Sequence, residues 1–423
     1  MQDLDLSKIK KVFFIGIGGI GISAIARMIL GRGKSVAGSD IGENEITLEL
    51  KKLGVDIKLG QGIELIPKDT DLIIYTIAVK KYDKNFYDKL KNLGIKMLSY
   101  PEMLGIVTKD KYTIAVAGTH GKTTTTAMIA KILIDAGLDP SVIVGSLLKD
   151  YKSNFIAGKS EFFVVEACEY ERSFLNLHPK ILVITNIDAD HLDYYKDLED
   201  IESAFRELSS KSENVIQDYS KYLDKVPKLS VPGVHNRMNA AAALVVADIL
   251  GIDEESARKS LQGFSGTWRR LEKKGQTPEG TIVYDDYAHH PTEIKASLQG
   301  LRELYPKAEK NITVLFQPHL YSRTKALFND FAQSFGEADR IFLLPIYFAR
   351  ENSDPSISSE KLADAICGEA LISGKNQKVQ AFPDFESAER AVLALNLGPN
   401  DVFVTMGAGE AYKVADKVFP SLN

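Results

Sequence analysis

The residues best suited to chemistry lie in a glycine-rich turn that reads AGTHGKTT at positions 117–124, directly after an apolar segment at 112–117. In a strand–loop–helix of this kind the backbone N–H groups surround phosphate oxygens, Lys122 contacts the terminal phosphates, and the Thr123 hydroxyl binds Mg²⁺. The usual spacing has a further glycine at position 116, where this sequence has Val116. We predict a nucleoside triphosphate site formed by Gly118, Thr119, His120, Gly121, Lys122, Thr123 and Thr124.

A second glycine-rich turn, GIGGIG at 16–21, follows an apolar segment at 11–17 and precedes a helical pattern. Glycines allow the backbone to approach a pyrophosphate, and the helix N-terminus supplies amide donors and positive potential. An acidic residue about twenty positions further on, here Asp40, can bind a ribose. For this motif alone, a structural turn without ligand and an NAD site are the alternatives. We predict that it binds a second phosphorylated ligand through Gly16, Gly18, Gly19, Gly21 and Asp40.

Apolar strands alternate with helical patterns along the chain, which favours an α/β fold with parallel sheets. The length of 423 residues, at ~150 residues per domain, suggests about three domains. Three blocks each open with an apolar strand that leads into a glycine turn or a cluster of polar residues, and we predict domains at 1–107, 108–265 and 266–423. Two phosphate-binding turns in consecutive blocks indicate two phosphorylated ligands, ATP and a nucleotide-linked substrate.

The composition excludes several classes of protein. Lysine and arginine number 52 and aspartate and glutamate 57, so the net charge is −5 and no general basic surface exists for nucleic acid. The two cysteines, Cys168 and Cys367, match no metal-binding spacing, and so few cysteines are typical of a reducing compartment. No apolar run reaches ~18 residues, and charges interrupt the N-terminal segment, so we expect no membrane span, no signal peptide and a cytoplasmic protein.

The sequence resembles the Mur ligase family through motifs that occur in family order along essentially the whole chain. They are GIGGIGIS (16–23), AGTHGKTTT (117–125), VEACEYERSFL (165–175), TNIDADHLDYY (185–195), PGVHNRMNAAAA (232–243), WRRLE (268–272), DDYAHHPTE (285–293), FQPHLYSRT (316–324) and GAGE (407–410). The resemblance implies a Rossmann-like N-terminal domain for a UDP-sugar, a P-loop ATPase central domain, and a Rossmann-like C-terminal domain for an incoming amino acid.

The activity that the resemblance implies is ATP-driven amide formation between the lactyl carboxylate of UDP-N-acetylmuramate and L-alanine, in peptidoglycan precursor synthesis. A free carboxylate is a poor electrophile, so the γ-phosphoryl group of ATP is first transferred to it to form an acyl phosphate. This transfer needs charge neutralisation and alignment, which Lys122 and two Mg²⁺ ions can supply. The resemblance assigns Thr123 and Glu166 to one ion and His191 to the other, although histidine is an unusual ligand for Mg²⁺.

The resemblance implies further contacts with ATP from two parts of the chain. Asn239 would face the adenine from the start of a helix, Arg270 would reach the phosphates, and Asp286 would hold the ribose. Because Arg270 and Asp286 belong to the third block, ATP would bind fully only when the domains close.

A cluster in the third block is implied to surround the incoming alanine and the reacting carboxylate. It consists of Tyr287, His289, His319 and Arg323. The guanidinium of Arg323 can pair with the alanine carboxylate as a fork. A histidine can take the proton from the ammonium, because the pKa of histidine lies close to neutrality.

The segment between Arg206 and His235 is short and charged. Members of the Mur ligase family usually carry considerably more chain there, including β-structure. We expect those strands to be trimmed away and one wall of the adenine pocket to be altered. Because the motifs on either side are intact, activity should survive.

Three other functions stay open at this stage. The nearest is a recycling ligase that attaches a tripeptide to UDP-N-acetylmuramate, although the motif at 316–324 favours the branch that adds a single amino acid. A nicotinamide-dependent oxidoreductase would use the turn at 16–21 but leaves Lys122, Glu166 and His191 unexplained. A non-catalytic ATP switch would bind nucleotide without ligation. We expect a monomer or a weak homodimer.

Overall fold

The computed structural model describes residues 4–192, 194–348 and 351–422, which form two compact units. The first unit comprises the chain up to Asp190 together with Tyr194–Pro227 and Asn239–Gly263. The second comprises His191 and its neighbour Leu192, Lys228–Met238 and the described residues from Phe264 onward. Two sheets lie in the first unit and one lies in the second.

The first sheet has five parallel strands. They are β1 (Lys11–Ile15), β2 (Ser35–Asp40), β3 (Asp56–Leu59), β4 (Leu72–Tyr75) and β5 (Lys96–Ser99). Their spatial order, β3-β2-β1-β4-β5, is the order of a Rossmann fold. The helices between them are α1 (Ile20–Gly31), α2 (Glu45–Lys52), α3 (Ile77–Tyr82), α4 (Lys84–Lys91) and α5 (Tyr100–Thr108), with 3-10 turns at Leu6–Lys8 and Ile63–Leu65.

The second sheet has six strands. They are β6 (Tyr112–Ala117), β7 (Ser141–Leu148), β8 (Ser153–Ile156), β9 (Phe162–Glu166), β10 (Ile181–Ile184) and β11 (Asn214–Ile216). The order is β11-β10-β6-β9-β7-β8, with all pairs parallel except β7 and β8. Its helices are α6 (Lys122–Asp135), α7 (Leu198–Ser210), α8 (Val234–Ile249) and α9 (Glu254–Gln262), with 3-10 turns at Tyr170–Asn176 and Ser220–Lys225.

The third sheet also has six strands. They are β12 (Glu272–Gln276), β13 (Ile282–Asp286), β14 (Asn311–Phe316), β15 (Arg340–Leu343), β16 (Lys378–Ala381) and β17 (Asp401–Met406). The order is β12-β13-β17-β14-β15-β16, with only β12 antiparallel to its neighbour. Its helices are α10 (Pro291–Leu304), α11 (Tyr321–Ala326), α12 (Phe328–Ala332), α13 (Ser359–Ile372), α14 (Phe385–Ala394) and α15 (Tyr412–Val418), with a 3-10 turn at Pro420–Leu422.

Continuous apolar runs form the central strands because helices cover both faces of each sheet. All four residues of β4 are buried, and so are all four residues of β10. Sheet and helices together confirm the predicted α/β class with a Rossmann-like first sheet and a P-loop strand, β6, within the second. The domain boundaries at 107/108 and 265/266 stay predictions. No helix in the described ranges is long and apolar enough to cross a membrane.

The segment between α7 and α8 corrects in part the expectation that its β-structure is trimmed away. It retains β-structure, because Asn214–Ile216 forms β11 and pairs in parallel with β10 at the edge of the second sheet. The side chain of Ile216 is buried, whereas Asn214 and Val215 are exposed. Three residues with one buried side chain give too little alternation for a sequence pattern to reveal a strand.

A buried arginine ties together the C-terminal ends of two strands in the third sheet. Arg269 is 3% exposed, and its Nε donates to Asp285 Oδ2 at 2.8 Å. Its other guanidinium nitrogens donate to the carbonyl oxygens of Gly407 at 2.7 Å and Gly409 at 3.0 Å. The second oxygen of Asp285 accepts a hydrogen bond from Thr405 at 2.7 Å. This network joins the chain before β12 to β13 and to the loop after β17.

We expect Arg269→Met to lower the free energy of unfolding of this part of the chain by about 3–5 kcal/mol, because it leaves the Asp285 carboxylate buried without its cation. Urea unfolding followed by the fluorescence of Trp268, the single tryptophan, measures the loss. The control is Arg390→Met, which removes an exposed pair with Glu386 and should cost less than about 1 kcal/mol. Equal losses in the two variants would show that the buried network contributes no more to the free energy of unfolding than an exposed ion pair.

Candidate active site

The turn between β6 and α6 has the backbone of a phosphate-binding loop. Gly118 and Gly121 have φ angles of +136° and +82°, in the region that favours glycine. A Cβ atom on Gly118 would lie 2.0 Å from Thr185 Oγ1, so a side chain would not fit there. The first four N–H groups of a helix have no acceptors within it, so the N-terminus of α6 offers donors to an anion.

The loop is held by the segment that follows β10. The N–H of His120 donates to Asn186 Oδ1 at 2.9 Å, and the carbonyl oxygen of His120 accepts from Thr185 Oγ1 at 2.5 Å and from Asn186 Nδ2 at 3.0 Å. The N–H of Asp188 donates to Thr119 Oγ1 at 2.8 Å. These partners were not predicted from the sequence, although polar residues directly after an apolar strand were the signal that could have revealed them.

Thr119 and His120, which we predicted to contact ATP, therefore also make hydrogen bonds that hold the loop in place. Nε2 of the His120 ring lies 3.5 Å from Asp188 Oδ2. Thr124, the last residue of the predicted set, is buried in the first turn of α6.

Lys122 lies at the start of α6 and contacts both the loop and a carboxylate. Its Nζ donates to the carbonyl oxygens of Gly118 at 2.5 Å and Thr119 at 3.0 Å, and to Glu169 at 2.9 Å. Burial alone would lower the pKa of Lys122, but the charge of Glu169, with smaller effects from Cys168 and Glu166, raises it overall. The lysine is therefore fully charged at neutral pH and lies within the phosphate-binding loop.

Glu169 was not predicted from the sequence as a functional residue. It is 3% exposed, although it lies in the loop between β9 and β10, and its carbonyl oxygen accepts a hydrogen bond from the buried Tyr195 hydroxyl. A carboxylate that is buried this deeply needs a cation, which Lys122 supplies. The only sequence signal was its place three residues after Glu166 in the motif at 165–175.

Glu166 and Thr123 lie together and fit a magnesium ion. Thr123 Oγ1 donates to Glu166 Oε1 at 3.1 Å, and the N–H of Gly145 donates to Glu166 Oε2 at 2.6 Å. A Cβ on Gly145 would lie 2.6 Å from Oε1, so the glycine leaves room for the carboxylate. A hydroxyl and an oriented carboxylate beside a phosphate-binding loop are the hard oxygen ligands that Mg²⁺ prefers.

Two further predicted residues lie in different parts of the chain. The side chain of Asn239, in α8, lies against the phosphate-binding loop, because a Cβ on Gly121 would be 2.5 Å from Asn239 Oδ1. Its predicted contact with adenine stays a prediction. His191 belongs to the second compact unit and has a left-handed backbone, with a φ angle of 54°. Its role as a metal ligand stays a prediction, and Asp193 in the same motif lies outside the described residues.

The glycine turn of the first sheet is built around Asp40. Gly18 donates its N–H to Asp40 Oδ2 at 2.8 Å, and Asn44 Nδ2 donates to the carbonyl oxygen of Gly18 at 3.3 Å. Cβ atoms on Gly16 and Gly21 would lie 2.6 Å from a methyl carbon of Thr76 and 2.8 Å from the ring of Tyr100. The contact to Gly18 orients the carboxylate that we predicted to bind a ribose, and Gly19 follows as the N-cap of α1.

Within the second compact unit, Asp286 ends β13 and is 4% exposed. Its carboxylate accepts hydrogen bonds from the Ser297 hydroxyl and, at 3.2 Å, from the N–H of Ala288. Burial raises the pKa of Asp286 to about 6, with a further increase from Glu293, while Ser297 and Arg270 oppose the shift. Both oxygens thus have partners within the protein, and the predicted contact with the ribose stays a prediction.

Arg270 and the predicted alanine-binding residues form one cluster of rings and charges in this unit. The Arg270 guanidinium lies 5.0 Å from the ring centre of Tyr287, and its NH1 lies 4.0 Å from Glu293 Oε1. The Tyr287 and His289 ring centres are 5.2 Å apart, and those of His289 and His319 are 5.8 Å apart.

Two residues complete this cluster at its other end. Arg323 NH1 lies 3.2 Å from His319 Nδ1, and the ring of Tyr347 stacks on His319 at 5.6 Å with an angle of 13° between the planes. The structure therefore brings together the four residues that the resemblance assigned to the alanine site. Tyr347 was not predicted, because it follows the next strand, β15, and no spacing connects it to the motif at 316–324.

Comparison with known proteins identifies the family. A model of the Mur ligase family, catalytic domain, matches residues 11–112, one of the Mur ligase middle domain matches 116–226, and one of the Mur ligase glutamate ligase domain matches 269–409. The chain belongs to the Mur ligase family. The resemblance stated from the motifs is thereby confirmed.

Relatives with assigned names match over almost their whole length. The UDP-N-acetylmuramate–L-alanine ligase of Caldanaerobacter subterraneus is 40% identical, with 98% of both chains covered. That of Acetivibrio thermocellus is 39% identical, with 98% of this chain and 96% of the relative covered. The crystal structure of the Thermotoga maritima UDP-N-acetylmuramate–alanine ligase has a TM-score of 0.81 and 28% identity, over 97% of this chain and 98% of that chain.

The alignment with the Caldanaerobacter relative also bears on length. It extends over 467 positions, more than the 423 residues of this Mur ligase. That relative therefore contains residues that have no counterpart here, as expected if this chain has lost a segment.

We expect Asp286 to make stability depend on pH. In the folded chain the Asp286 carboxyl group keeps its proton up to about pH 6, and in the unfolded chain only up to about pH 4. Between these values the folded state binds more protons, so the free energy of unfolding falls as the pH rises. Compared with Asp286→Asn, the wild type should lose on the order of 3 kcal/mol between pH 4 and pH 7. Urea unfolding followed by Trp268 fluorescence measures the difference. A wild type whose stability changed with pH in the same way as that of Asp286→Asn would contradict the assignment.

Proposed function

We propose that this Mur ligase joins L-alanine to the carboxylate of UDP-N-acetylmuramate, with ATP as the energy source and an acyl phosphate as intermediate, in peptidoglycan precursor synthesis. The observation that carries the proposal is the group of Lys122, Thr123 and Glu166 at the phosphate-binding loop, in a chain whose relatives along its whole length bear the name of this ligase. Such a group is suited to phosphoryl transfer, and a carboxylate needs that step before an amine can attack it.

The activation step needs compensation for the negative charge of ATP. Lys122 supplies a positive charge within the loop, and the N–H groups at the start of α6 bind phosphate oxygens. Glu166 and Thr123 would hold one Mg²⁺ and His191 a second, and bound Mg²⁺ would neutralise charge on the phosphates. In this proposal Arg270 reaches the phosphates, Asp286 the ribose and Asn239 the adenine.

The amide-forming step belongs to the cluster in the second compact unit. The Arg323 guanidinium would bind the alanine carboxylate through two parallel hydrogen bonds. His319 or His289 would take the proton from the alanine ammonium, which makes the nitrogen a nucleophile. Tyr287 contacts His289 and orients its ring. The amine then attacks the acyl carbon, and phosphate leaves from the tetrahedral intermediate.

The sugar nucleotide would bind at the glycine turn of the first sheet, where Gly16, Gly18, Gly19, Gly21 and Asp40 lie. In a Rossmann fold, ligands bind beyond the carboxyl ends of the strands, and the N-terminus of α1 lies there. This turn and the ATP loop belong to the same compact unit. We propose that the enzyme acts in the cytoplasm as a monomer or weak homodimer, without a nucleic acid partner.

We expect release of ADP to require UDP-N-acetylmuramate and L-alanine together. Lys122→Ala should lower kcat by at least about 100-fold, because it removes a charge that acts on the transferred phosphoryl group. A coupled assay of ADP release measures both effects. The control is Lys131→Ala in the same helix, where the lysine pairs with Asp135 at 3.0 Å, and its kcat should stay within about twofold of wild type.

Two results would contradict this proposal. Release of ADP with a tripeptide but not with L-alanine would assign the chain to tripeptide recycling. Binding of nucleotide without any ligation, in the presence of both substrates and Mg²⁺, would make it an ATP switch.

We expect Arg323→Ala to raise the KM for L-alanine by about 10- to 100-fold, because a hydrogen bond between two charged groups is lost. The KM for ATP should not change. Steady-state kinetics with each substrate varied in turn measures the two constants. Lys325→Ala is the matched control, since Lys325 lies in the same helix and pairs with Asp354 at 2.9 Å. If both variants changed the KM for L-alanine equally, Arg323 would not bind the amino acid.

A further inference from the structure

The short segment between α7 and α8 has a contact with the ATP site that the sequence did not suggest. After β11 the chain turns at Tyr219, whose side chain is 7% exposed. The Tyr219 hydroxyl donates to the carbonyl oxygen of Thr185 at 2.6 Å. Burial raises the pKa of Tyr219, so the hydroxyl stays protonated and remains a donor at every pH at which the enzyme would be assayed.

Thr185, directly after β10, is one of the residues that bind the phosphate-binding loop. Its N–H donates to the carbonyl oxygen of Ala117 at 3.0 Å, and its Oγ1 donates to the carbonyl oxygen of His120 at 2.5 Å. The same Oγ1 lies where a side chain at Gly118 would have to be. Thr185 therefore binds the loop at two points, the carbonyl oxygens of Ala117 and His120.

The contact to His120 sets the direction of one donor to the phosphates. In a trans peptide the C=O and the following N–H point in opposite directions. Because Thr185 and Asn186 hold the carbonyl oxygen of His120 on the side of β10, the N–H of Gly121 is directed away from β10. A fixed amide that needs no reorganisation binds an anion better than a mobile one.

We propose that Tyr219 is a positioning residue for ATP, which acts through Thr185 to hold the peptide between His120 and Gly121 in its phosphate-binding orientation. This inference depends on the proposed function, because it concerns the same nucleotide site. In this proposal the chain after β11 helps to hold the phosphate-binding loop in place through the hydrogen bond between Tyr219 and Thr185.

A second tyrosine in the same segment provides a matched control. The hydroxyl of Tyr222, three residues after Tyr219, donates to Asp248 Oδ2 at 2.7 Å, and the neighbouring Lys225 pairs with Glu254 at 2.8 Å. Asp248 and Glu254 lie at the end of α8 and the start of α9. Tyr222 therefore attaches the segment to these helices, through a hydroxyl that makes no contact with Thr185.

The experiment compares Tyr219→Phe with Tyr222→Phe, since each removes one hydroxyl and keeps the ring. Loss of one buried hydrogen bond should raise the KM for ATP of Tyr219→Phe by roughly threefold to tenfold. The KM values for L-alanine and UDP-N-acetylmuramate should stay at wild-type levels. In Tyr222→Phe all three constants should be unchanged, and the melting temperature of both variants without ligand separates folding from binding. An unchanged KM for ATP, or an equal rise in all three constants, would overturn the inference.

A double-mutant cycle tests whether Tyr219 acts through Thr185. Thr185→Val removes the hydroxyl that binds His120 and should itself raise the KM for ATP. If both residues act on one peptide, adding Tyr219→Phe should produce less than the product of the two single effects. Fully multiplicative effects would overturn the inference. A wild-type protein that releases no ADP with both substrates would instead contradict the proposed function, and titration of the variants with ATP alone would still test Tyr219.

Discussion

Three neighbouring parallel strands of the second sheet, β9, β6 and β10, end at the same edge, and the proposed chemistry depends on this. Parallel pairing brings the carboxyl ends of all three together, so the loops that follow them must contact one another. The phosphate-binding loop follows β6, Glu166 and Glu169 follow or end β9, and Thr185 follows β10. Each of these loops supplies what the others lack: donors for phosphate, carboxylates, and hydrogen bonds that hold the loop in shape.

Charge balance within this edge explains why the carboxylates lie where they do. Lys122, which we propose to bind phosphate, is largely buried, and burial disfavours its charged form unless a counter-charge is close. Glu169 supplies that charge and in turn depends on Lys122, because a buried carboxylate without a cation is costly. Glu166 differs in its partners, since a hydroxyl and a backbone N–H bind it. One carboxylate thus neutralises the lysine, while the other is oriented by dipoles and suited to a metal ion.

Two adjacent arginines in the second compact unit have different surroundings, because the chain changes direction between them. Arg269 has a left-handed backbone, with a φ angle of 56°, and its guanidinium is buried against Asp285 and two carbonyl oxygens. Arg270 lies beside Tyr287 and Glu293 and keeps part of its surface exposed. The buried arginine holds the end of β13 and the loop after β17 in place, and the end of β13 carries Asp286 and leads to Tyr287. The positions of the residues proposed to bind ATP and alanine therefore depend on Arg269, which is not proposed to contact either substrate.

Family, fold class and most central strands could be predicted from the sequence, because they depend on local patterns. The predicted strand at 112–117 coincides with β6, since an apolar run that leads into a glycine turn is a signal within a few positions of the chain. The edge strand β11 was not predicted, because an exposed strand of three residues lacks such a pattern.

The sequence by itself determined which residue types surround the phosphate-binding loop and the proposed alanine site. Only the tertiary structure decided which residues contact one another: Glu169 with Lys122, Thr185 and Asn186 with His120, Tyr219 with Thr185, and Tyr347 with His319. The separations along the chain run from 28 residues, between His319 and Tyr347, to 66 residues, between His120 and Asn186. No periodicity connects residues so far apart. Strand order and register bring them together, and both are set by the packing of whole sheets, not by the residues near any one motif.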